Sequence, residues 1–336
     1  MNPFNRNKIL SHWEQIEQYK KHGETAYPTT VELSLTNKCN HKCPACSGLR
    51  DNTEANSFIK PNLIKSIIGQ ISNIGVKGVI FTGGGEPCMY EDYDKFIALA
   101  NSSRLQVGLI TNGSMIDQSH IKNLLCCKWI RISLDAASTE TYKKLHGIDA
   151  FEQTLDNIKM LTECNRNTTI GIGFLTCEET EKEIIAFAKL ASELGVDYCQ
   201  YRPIHGLRYK ESINNQIAYA KDYYETNKFK VLYSEFKFTT LRGCETARTY
   251  SHCHAANFVT HIAADACVYM CCHCINGDTY LGDLKKNSFK EIWQGKKGTI
   301  DNYNITKCLN LCRNDCSNRD LDVIINGNCL THGNFL

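Results

Sequence analysis

The stretch of sequence that decides the fold is Val31-Glu32-Leu33-Ser34-Leu35-Thr36-Asn37-Lys38-Cys39-Asn40-His41-Lys42-Cys43-Pro44-Ala45-Cys46. It begins as a β-prone, largely apolar run, and three cysteines follow at C-x3-C-x2-C spacing. Thiolates are soft ligands that select iron–sulfur clusters, zinc or Cu(I). A cubane cluster and a structural zinc ion each take four protein ligands, so three in one loop favour a cluster with one iron open to another ligand. His41 offers a fourth donor, and a closed zinc site is therefore the alternative.

A second motif lies at Phe81-Thr82-Gly83-Gly84-Gly85-Glu86-Pro87, directly after the apolar run 78–80. Successive glycines let the backbone approach a ligand closely and present N–H and C=O groups to it. With both motifs present, the chain resembles the radical S-adenosylmethionine (SAM) superfamily. The resemblance implies that Cys39, Cys43 and Cys46 hold a [4Fe–4S] cluster whose open iron binds SAM. It also implies that backbone groups of Gly83, Gly84, Gly85 and Glu86 receive the SAM amino group.

Composition narrows the class of protein. The 336 residues include 38 basic and 36 acidic ones, a formal charge of +2, which gives no electrostatic reason to expect nucleic acid or membrane as a partner. The polar N-terminus lacks the apolar segment of a signal peptide, and no run is long enough for a membrane span. Nineteen cysteines without a secretion signal indicate metal binding in a reducing compartment. The sequence therefore predicts a cytoplasmic protein.

Strand and helix patterns alternate along the first two thirds of the chain. Six strand–helix units in a row favour a parallel sheet, and the family resemblance implies a partial (β/α)6 TIM-like barrel, an α/β fold, with a small Cys-rich C-terminal extension. A doubly wound open sheet is the alternative. The predicted helices are 6–22, 61–74, 93–100, 118–126, 151–163 and 178–194, and the predicted strands are 31–36, 78–82, 106–111, 129–134, 169–176 and 198–203.

Polar residues follow the predicted strand ends, where barrels of this kind carry their chemistry. The segments 132–136, 140–142 and 145–147 resemble the fourth-strand signature of radical SAM enzymes with C-terminal cluster domains. This resemblance makes Ser133 a candidate for binding the SAM ribose or carboxylate, and Asn112 and Arg202 are further candidates. The alternatives are an ordinary Asn-Gly turn at Asn112 and a surface ion pair at Arg202.

Two residues within this signature are not counted as catalytic candidates. His146 precedes a glycine at a helix end, which is typical of a C-terminal cap. Asp135 is likewise not included among the catalytic candidates.

The region beyond residue 240 is rich in cysteine and poor in helical pattern. Ten of the nineteen cysteines lie between Cys244 and Cys329. The run Cys253-x12-Ala266-x4-Cys271 and the later Cys308-x3-Cys312-x3-Cys316 resemble the SPASM/Twitch extensions of radical SAM enzymes, although the family has a glycine at the position of Ala266. The resemblance implies one auxiliary [4Fe–4S] cluster, held by Cys253, Cys271, Cys308 and Cys312. A zinc ribbon is the alternative.

The remaining cysteines fall into two sets. Cys316 is a candidate substitute ligand, or a free thiol that returns a hydrogen atom to the substrate. Cys267, Cys272 and Cys274 lie in the same hairpin, and the sequence does not separate ligands from bystanders among them. The predicted domains are an N-terminal helix at 1–26, a radical SAM core at 27–240 and a SPASM/Twitch-like domain at 241–336.

The resemblance also implies the reaction. An electron from the first cluster cleaves SAM, and the resulting 5′-deoxyadenosyl radical abstracts hydrogen from an unactivated carbon. An auxiliary cluster that accepts the substrate electron gives a net dehydrogenation. An external donor such as flavodoxin or ferredoxin supplies the electrons.

The substrate class is predicted from the ends of the chain. About thirty residues precede the first strand, too few for a leader-binding domain of typical size. Cys312-Arg313, Asn318 and the ending 332–336 are similar to enzymes that act on sugars, aminocyclitols or nucleosides. We therefore expect a carbohydrate-like small molecule as substrate, with peptide crosslinking or epimerisation as the alternative. An alternative from another class is a non-catalytic iron–sulfur electron carrier or zinc module, which leaves the glycine motif unexplained.

Overall fold

The computed structural model describes residues 6–46, 56–164, 166–204, 210–234, 237–238, 248–309 and 312–327. Strands and helices alternate through most of this chain. The strands are β1 (Thr30–Ser34), β2 (Gly78–Thr82), β3 (Gln106–Thr111), β4 (Trp129–Ser133), β5 (Thr169–Thr176), β6 (Tyr198–Pro203), β7 (Lys230–Tyr233), β8 (Val259–Ile262), β9 (Cys267–Tyr269) and β10 (Tyr280–Asp283). The helices are α1 (Trp13–His22), α2 (Pro61–Asn73), α3 (Tyr93–Ser102), α4 (Ile121–Leu124), α5 (Thr139–His146), α6 (Phe151–Thr162), α7 (Ile184–Glu193), α8 (Glu211–Tyr224), α9 (Phe289–Gly295), α10 (Lys297–Asn302) and α11 (Asp315–Asn326).

These strands form one sheet in the order β10-β9-β8-β1-β2-β3-β4-β5-β6-β7. Strands β1 to β7 pair in parallel and in chain order. Helices lie in the crossovers between them, as parallel pairing requires. The prediction of an α/β fold with a partial TIM-like barrel is confirmed.

The sheet is larger than the sequence predicts. The predicted units end with β6, and the structure adds α8 and β7 after it. On the other side, β8 pairs in parallel with β1, and the antiparallel strands β9 and β10 continue from there. The Cys-rich extension therefore shares a sheet with the core, and the boundaries at residues 26 and 240 remain predictions.

Alternation along the strands separates two faces of the sheet. Val31 and Leu33 of β1 are fully buried in the main apolar core, which also includes the apolar residues of the surrounding helices. Helix α2 buries Ile64, Ile67, Ile68 and Ile71 in that core, the spacing that its sequence predicts. Glu32 of β1 points to the opposite, inner face, where the polar residues gather.

Several helices are shorter than predicted. The α-helix predicted from 178 begins only at Ile184, after a 3-10 turn at Glu181–Glu183. The hydroxyl of Thr180 accepts from Cys177 N and donates to Leu175 O, both at 2.8 Å, which holds the chain in a turn at this point. The helix predicted at 118–126 is reduced to α4, and the first seven residues of the N-terminal helix are 3-10.

The N-terminal helix packs against the C-terminal region. Ile16 and Tyr19 of α1 form an apolar cluster with Phe258 and Leu321. The hydroxyl of Tyr19 lies 2.8 Å from His254 Nδ1. Helix α1 is therefore packed against helix α11 and the residues that precede β8. No helix in the described ranges is both long and apolar enough to cross a membrane.

Candidate active site

The carboxyl ends of β1, β2, β3 and β4 meet at one edge of the sheet, and the loops that leave them carry the predicted site residues. The loop after β1 contains Cys39, Cys43 and Cys46. Its backbone is fixed at both sides, because Asn37 N donates to Ser57 O at 2.8 Å and Lys42 N donates to His146 O at 2.9 Å.

The three cysteines of this loop differ in exposure. Cys39 and Cys43 are half-buried, and Cys46 is exposed. His41 N donates to Cys39 Sγ at 3.4 Å, and Cys46 N donates to Cys43 O at 3.2 Å. The loop therefore presents soft donors at the edge of the sheet, with backbone amides near them.

The glycine segment after β2 packs directly on the cysteine loop. Gly85 N donates to Thr36 O at 3.1 Å, and Glu86 N donates to Lys38 O at 2.9 Å. A Cβ atom at Gly85 would lie 2.1 Å from Lys38 O, and one at Gly83 would lie 3.1 Å from Gly85 O. Gly84 is buried. The close approach of the two backbones therefore requires glycine at position 85.

The carboxylate of Glu86 is buried and fully used within the protein. It accepts from Thr111 Oγ1 at 2.5 Å, from Asn112 N at 2.7 Å and from Cys88 N at 3.0 Å. Burial raises the pKa of this carboxyl, although the three donors act against the shift. The side chain of Glu86 thus joins the ends of β2 and β3, and its backbone N–H and C=O are paired with Lys38 O and Met89 N.

Asn112 braces the cysteine loop. Its Nδ2 donates to Asn40 Oδ1 at 2.9 Å, and its Oδ1 accepts from Ser114 N and from Ser114 Oγ at 3.0 and 2.9 Å. Asn40 in turn donates to Ser114 Oγ at 2.8 Å. Asn112 therefore connects the turn after β3 to the cysteine loop. Cofactor binding by this residue remains a prediction.

Ser133 and Arg202 lie on the inner face of the sheet. Ser133 ends β4 opposite Gly173 of β5, and Arg202 is the last residue but one of β6. A Cβ atom at Gly173 would lie 2.8 Å from Arg202 Nη2, so the guanidinium lies across β5 toward Ser133. Arg202 Nη2 is 3.8 Å from Asp135 Oδ1. The surface ion pair considered as an alternative is thus replaced by a contact with a buried aspartate.

A second group of thiols lies around the hairpin β9–β10. Cys253, Cys271 and Cys308 pack against one apolar cluster, which consists of Tyr250, Ala256, Met270, Ile300, Tyr303 and Ile305. The side chain of Cys274 contacts Cys271 and Cys308, and these contacts lower the pKa of its thiol. Cys312 is close enough for its charge to raise the pKa of Cys253, after the larger effect of burial. Cys274 therefore joins the predicted ligand set.

Two other cysteines of the hairpin have different surroundings. Cys272 Sγ accepts from Arg313 Nη1 at 3.4 Å, and Cys267 packs with the separate cluster of Ala263, Tyr269 and Ile275. Cys316 is half-buried in the first turn of α11, and its role as a hydrogen donor remains a prediction. Cys244, Cys329 and the ending 332–336 lie outside the described residues.

Comparison with known proteins decides the family. Residues 33–191 match the model of the Radical SAM superfamily, and residues 253–317 match SPASM, an iron–sulfur cluster-binding domain. The chain carries a radical SAM domain. Its C-terminal region is a SPASM domain, as the sequence predicts.

Named relatives resemble part of this radical SAM protein. The chain is 26% identical over 178 residues to a probable GTP 3′,8-cyclase of Saccharolobus islandicus, covering 52% of this chain and 56% of that one. It is 25% identical over 215 residues to an Fe-coproporphyrin III synthase of Methanosarcina barkeri, covering 63% of this chain and 51% of that one. The chain thus spans about half the length of these relatives.

Solved structures share the fold. SuiB of Streptococcus suis bound to the precursor peptide SuiA matches with a TM-score of 0.70 at 16% identity, covering 88% of this chain and 71% of that one. The enzyme anSMEcpe with bound AdoMet matches with a TM-score of 0.61 at 18% identity, covering 86% of this chain and 88% of that one.

The residues of this radical SAM protein fit the cofactors that the family implies, a [4Fe–4S] cluster with SAM and auxiliary iron–sulfur clusters. Three thiols stand in the loop after β1, beside a backbone cradle that a Cβ at Gly85 would fill. A second set of half-buried thiols stands near the hairpin β9–β10. Four soft donors per cubane, or three with an open iron, match these sets.

Two residues set aside in the sequence prove to be near the first cluster loop. His146 Nδ1 lies 3.5 Å from Cys43 Sγ and 3.2 Å from His41 Nδ1. Asp135 adopts φ 56°, a left-handed conformation that is uncommon outside glycine, and its Oδ2 lies 3.8 Å from His146 Nε2. Gly147, with φ 68°, caps α5 as expected. The sequence predicted the cap, but it did not predict that His146 is buried against the cysteine loop.

This arrangement offers a second possible set of metal donors. The donor atoms of His41, Cys43 and His146 lie within 4.8 Å of one another, which also suits zinc. Cys43 belongs to both sets, and the family assigns it to the cluster motif. Burial lowers the pKa of His146 although Asp135 acts to raise it. His146 Nε2 lies 3.1 Å from Leu134 O, which can only accept, so in the neutral ring Nε2 carries the proton and Nδ1 presents its lone pair toward Cys43 and His41.

Proposed function

We propose that this protein is a radical SAM dehydrogenase that removes hydrogen from a carbon of a small polar molecule, of carbohydrate, aminocyclitol or nucleoside type. An auxiliary cluster held by the C-terminal cysteines would supply the acceptor for the second electron, and with the loss of a proton the reaction would be a net two-electron oxidation. Flavodoxin or ferredoxin is the proposed electron donor.

The observation that supports this proposal is the position of the SPASM segment. Arg313 follows Cys312 directly, and its Nη1 lies 2.5 Å from Glu32 Oε1 in the middle of β1. Strand β8, which leads to the same cysteine group, pairs with β1 along its length. The proposed auxiliary site and the cysteine loop are therefore attached to one strand, and the inner face of the sheet lies between the groups.

The bound cluster and SAM together supply a carbon-centred radical that no side chain can provide. The protein holds them with Cys39, Cys43 and Cys46 and with the backbone at Gly83–Glu86. Ser133 and Arg202 are the residues that we propose for orienting the SAM carboxylate or ribose. Cys253, Cys271, Cys308 and Cys312, together with Cys274, provide more thiols than a single cubane needs. These assignments follow from the position of each residue and are proposals.

The direct test is reductive cleavage of SAM. The anaerobically reconstituted wild type is expected to form 5′-deoxyadenosine with dithionite, and the triple variant Cys39→Ala/Cys43→Ala/Cys46→Ala is expected to form none. The triple variant should still hold about four irons, those of the second cubane. If it continues to cleave SAM, the assignment is wrong.

A second variant separates the two clusters. The double variant Cys271→Ala/Cys308→Ala should keep SAM cleavage and lose substrate oxidation, since only the electron acceptor is removed. Candidate sugars and nucleosides are then screened by the deoxyadenosine that they stimulate. If a precursor peptide stimulates cleavage and these molecules do not, the peptide-modifying alternative is favoured.

A further inference from the structure

We propose that the inner face of the sheet binds an anionic group of the substrate, a phosphate or a carboxylate, with Arg131 as its principal ligand and Lys237 beside it. This inference rests on the proposed function, because it concerns the substrate of the same site. The inner face is the surface formed by the following side chains: Glu32, Ser34, Arg131, Ser133, Gln200, Arg202 and His261.

Glycines on β5 give this face its shape. Arg131 of β4 pairs with Gly171, and Gly171 pairs with Tyr198 of β6. A Cβ atom at Gly171 would lie 2.0 Å from Tyr198 Cζ. Side chains of β6 therefore lie over β5 toward β4, and Arg131 and Arg202 share the inner face of the sheet. Lys237, from the segment after β7, is near both of them.

The charges on this face do not balance. Arg313 is paired with Glu32, and Arg202 lies 3.8 Å from Asp135. Within the described part of the chain, neither Arg131 nor Lys237 forms an ion pair. At and beside the inner face, the cationic side chains therefore outnumber the carboxylates. The cations are Arg131, Arg202, Arg313 and Lys237, and the carboxylates are Glu32 and Asp135.

The contacts of Arg131 leave its charge uncompensated. Arg131 Nη1 donates to Gln200 Oε1 at 3.3 Å, a neutral acceptor. Its Nε is buried and has no hydrogen-bond partner among the described residues, and the same holds for Arg202 Nε. A buried donor without a partner is unfavourable, and an anion that accepts from Arg131 Nε would complete the site. A guanidinium is well suited to this, because its planar donors match phosphate and carboxylate.

The electrostatic effects on neighbouring groups agree with this geometry. Burial, and next the charges of Arg202 and Arg313, lower the pKa of Lys237 to about 8. Burial, followed by Arg202, also lowers the pKa of Arg131. Repulsion by neighbouring cations is thus the second cause of both shifts after burial, and a bound anion would relieve that repulsion.

The carboxylate of SAM is a different anion. Ser133 and Arg202 stand at the strand ends, where SAM is expected. Arg131 precedes Ser133 by two residues on the same strand, so it lies about 7 Å deeper in the sheet. The anion at Arg131 therefore belongs to a second molecule, the substrate.

The test uses the anaerobically reconstituted holoenzyme with SAM bound. Inorganic phosphate and malonate are titrated separately by calorimetry. Wild type is expected to bind at least one of them, and the stronger binder tells whether the substrate carries a phosphate or a carboxylate. Arg131→Gln should weaken this binding by about tenfold or more, the effect of losing a charge-assisted hydrogen bond. Lys237→Gln is a second variant, and it should also weaken anion binding.

Arg104→Gln is the matched control, because Arg104 is exposed at the end of α3 and should leave anion binding unchanged. Iron content and SAM affinity of Arg131→Gln should equal those of wild type. The proposal is overturned if neither anion binds, if binding survives in both variants, or if Arg131→Gln loses SAM affinity as strongly as anion affinity. Formation of 5′-deoxyadenosine is measured in parallel, so failure of the proposed function is recognised independently of anion binding.

Discussion

At the scale of single residues, Gly85 offers the sharpest test of the SAM cradle. In Gly85→Ala the new Cβ would meet Lys38 O at 2.1 Å and Asn37 C at 2.5 Å. Both are backbone atoms that cannot turn away, so the two loops must separate. We expect a loss of about 1–3 kcal/mol in the free energy of unfolding and a clear loss of SAM affinity, measured by urea unfolding and by equilibrium dialysis.

The control for this variant is Gly69→Ala in α2, where nothing lies within 4 Å of the new Cβ. Alanine should stabilise this helix by up to about 1 kcal/mol. Normal SAM binding by Gly85→Ala would contradict the account of the cradle.

Cys274 provides a second test, at the auxiliary site. Its contacts with Cys271 and Cys308 predict that it is a ligand, so Cys274→Ala should lower the iron content by up to about four per chain. Cys267→Ala is the matched control, since Cys267 packs with a different apolar cluster. Equal iron content in the two variants would remove Cys274 from the ligand set.

The residues show how far sequence reasoning reaches. The cysteine motif and the glycine segment could be recognised in the sequence because each is defined by the spacing of residues that are close together in the chain. Asp135 was not counted as a candidate, and Cys274 was not assigned as a ligand. Each makes a contact with a residue distant in the chain, which for Cys274 is Cys308. For Asp135 the contact is Leu175 N, which donates to its Oδ1 at 2.8 Å. No local pattern predicts such a contact.

At the scale of elements, the docking of α1 on the C-terminal region can be measured. Tyr19→Phe removes the hydroxyl that lies 2.8 Å from His254 Nδ1 and leaves a buried ring nitrogen without this partner. The free energy of unfolding should fall by about 1–3 kcal/mol, measured by urea unfolding. Tyr223→Phe on α8 is the control, because Tyr223 is 69% exposed. Equal effects of both variants would show that the contact of Tyr19 does not stabilise the fold.

The elements were predicted best where they are long and periodic. Helix α2 begins at Pro61 as predicted, because proline fits the first turn and four isoleucines follow at helical spacing. Beyond β6 only a hairpin among the C-terminal cysteines was predicted, without bounds for its strands, since runs of three or four residues carry little periodic signal. Ala266, which stands where the family has glycine, adopts φ 65°. This left-handed conformation explains why glycine is preferred at that position.

At the scale of the whole molecule, one sheet joins the SAM site to the auxiliary site. The sequence divides the chain into a core and an extension, whereas β8 pairs with β1 and places both cysteine groups on the same framework. Long-range pairing of this kind depends on the complete fold and leaves no trace in local composition. It explains how a C-terminal segment contributes Arg313 to the centre of the barrel.

The measurement that tests the central claim most directly is the content of iron and acid-labile sulfide per chain after anaerobic reconstitution. Wild type is expected to hold about eight irons, and the triple variant Cys39→Ala/Cys43→Ala/Cys46→Ala about four, as two separate cubanes require. A wild type with about four irons that falls to none in the variant would contradict the auxiliary cluster. A variant that keeps all of its iron would contradict the assignment of Cys39, Cys43 and Cys46.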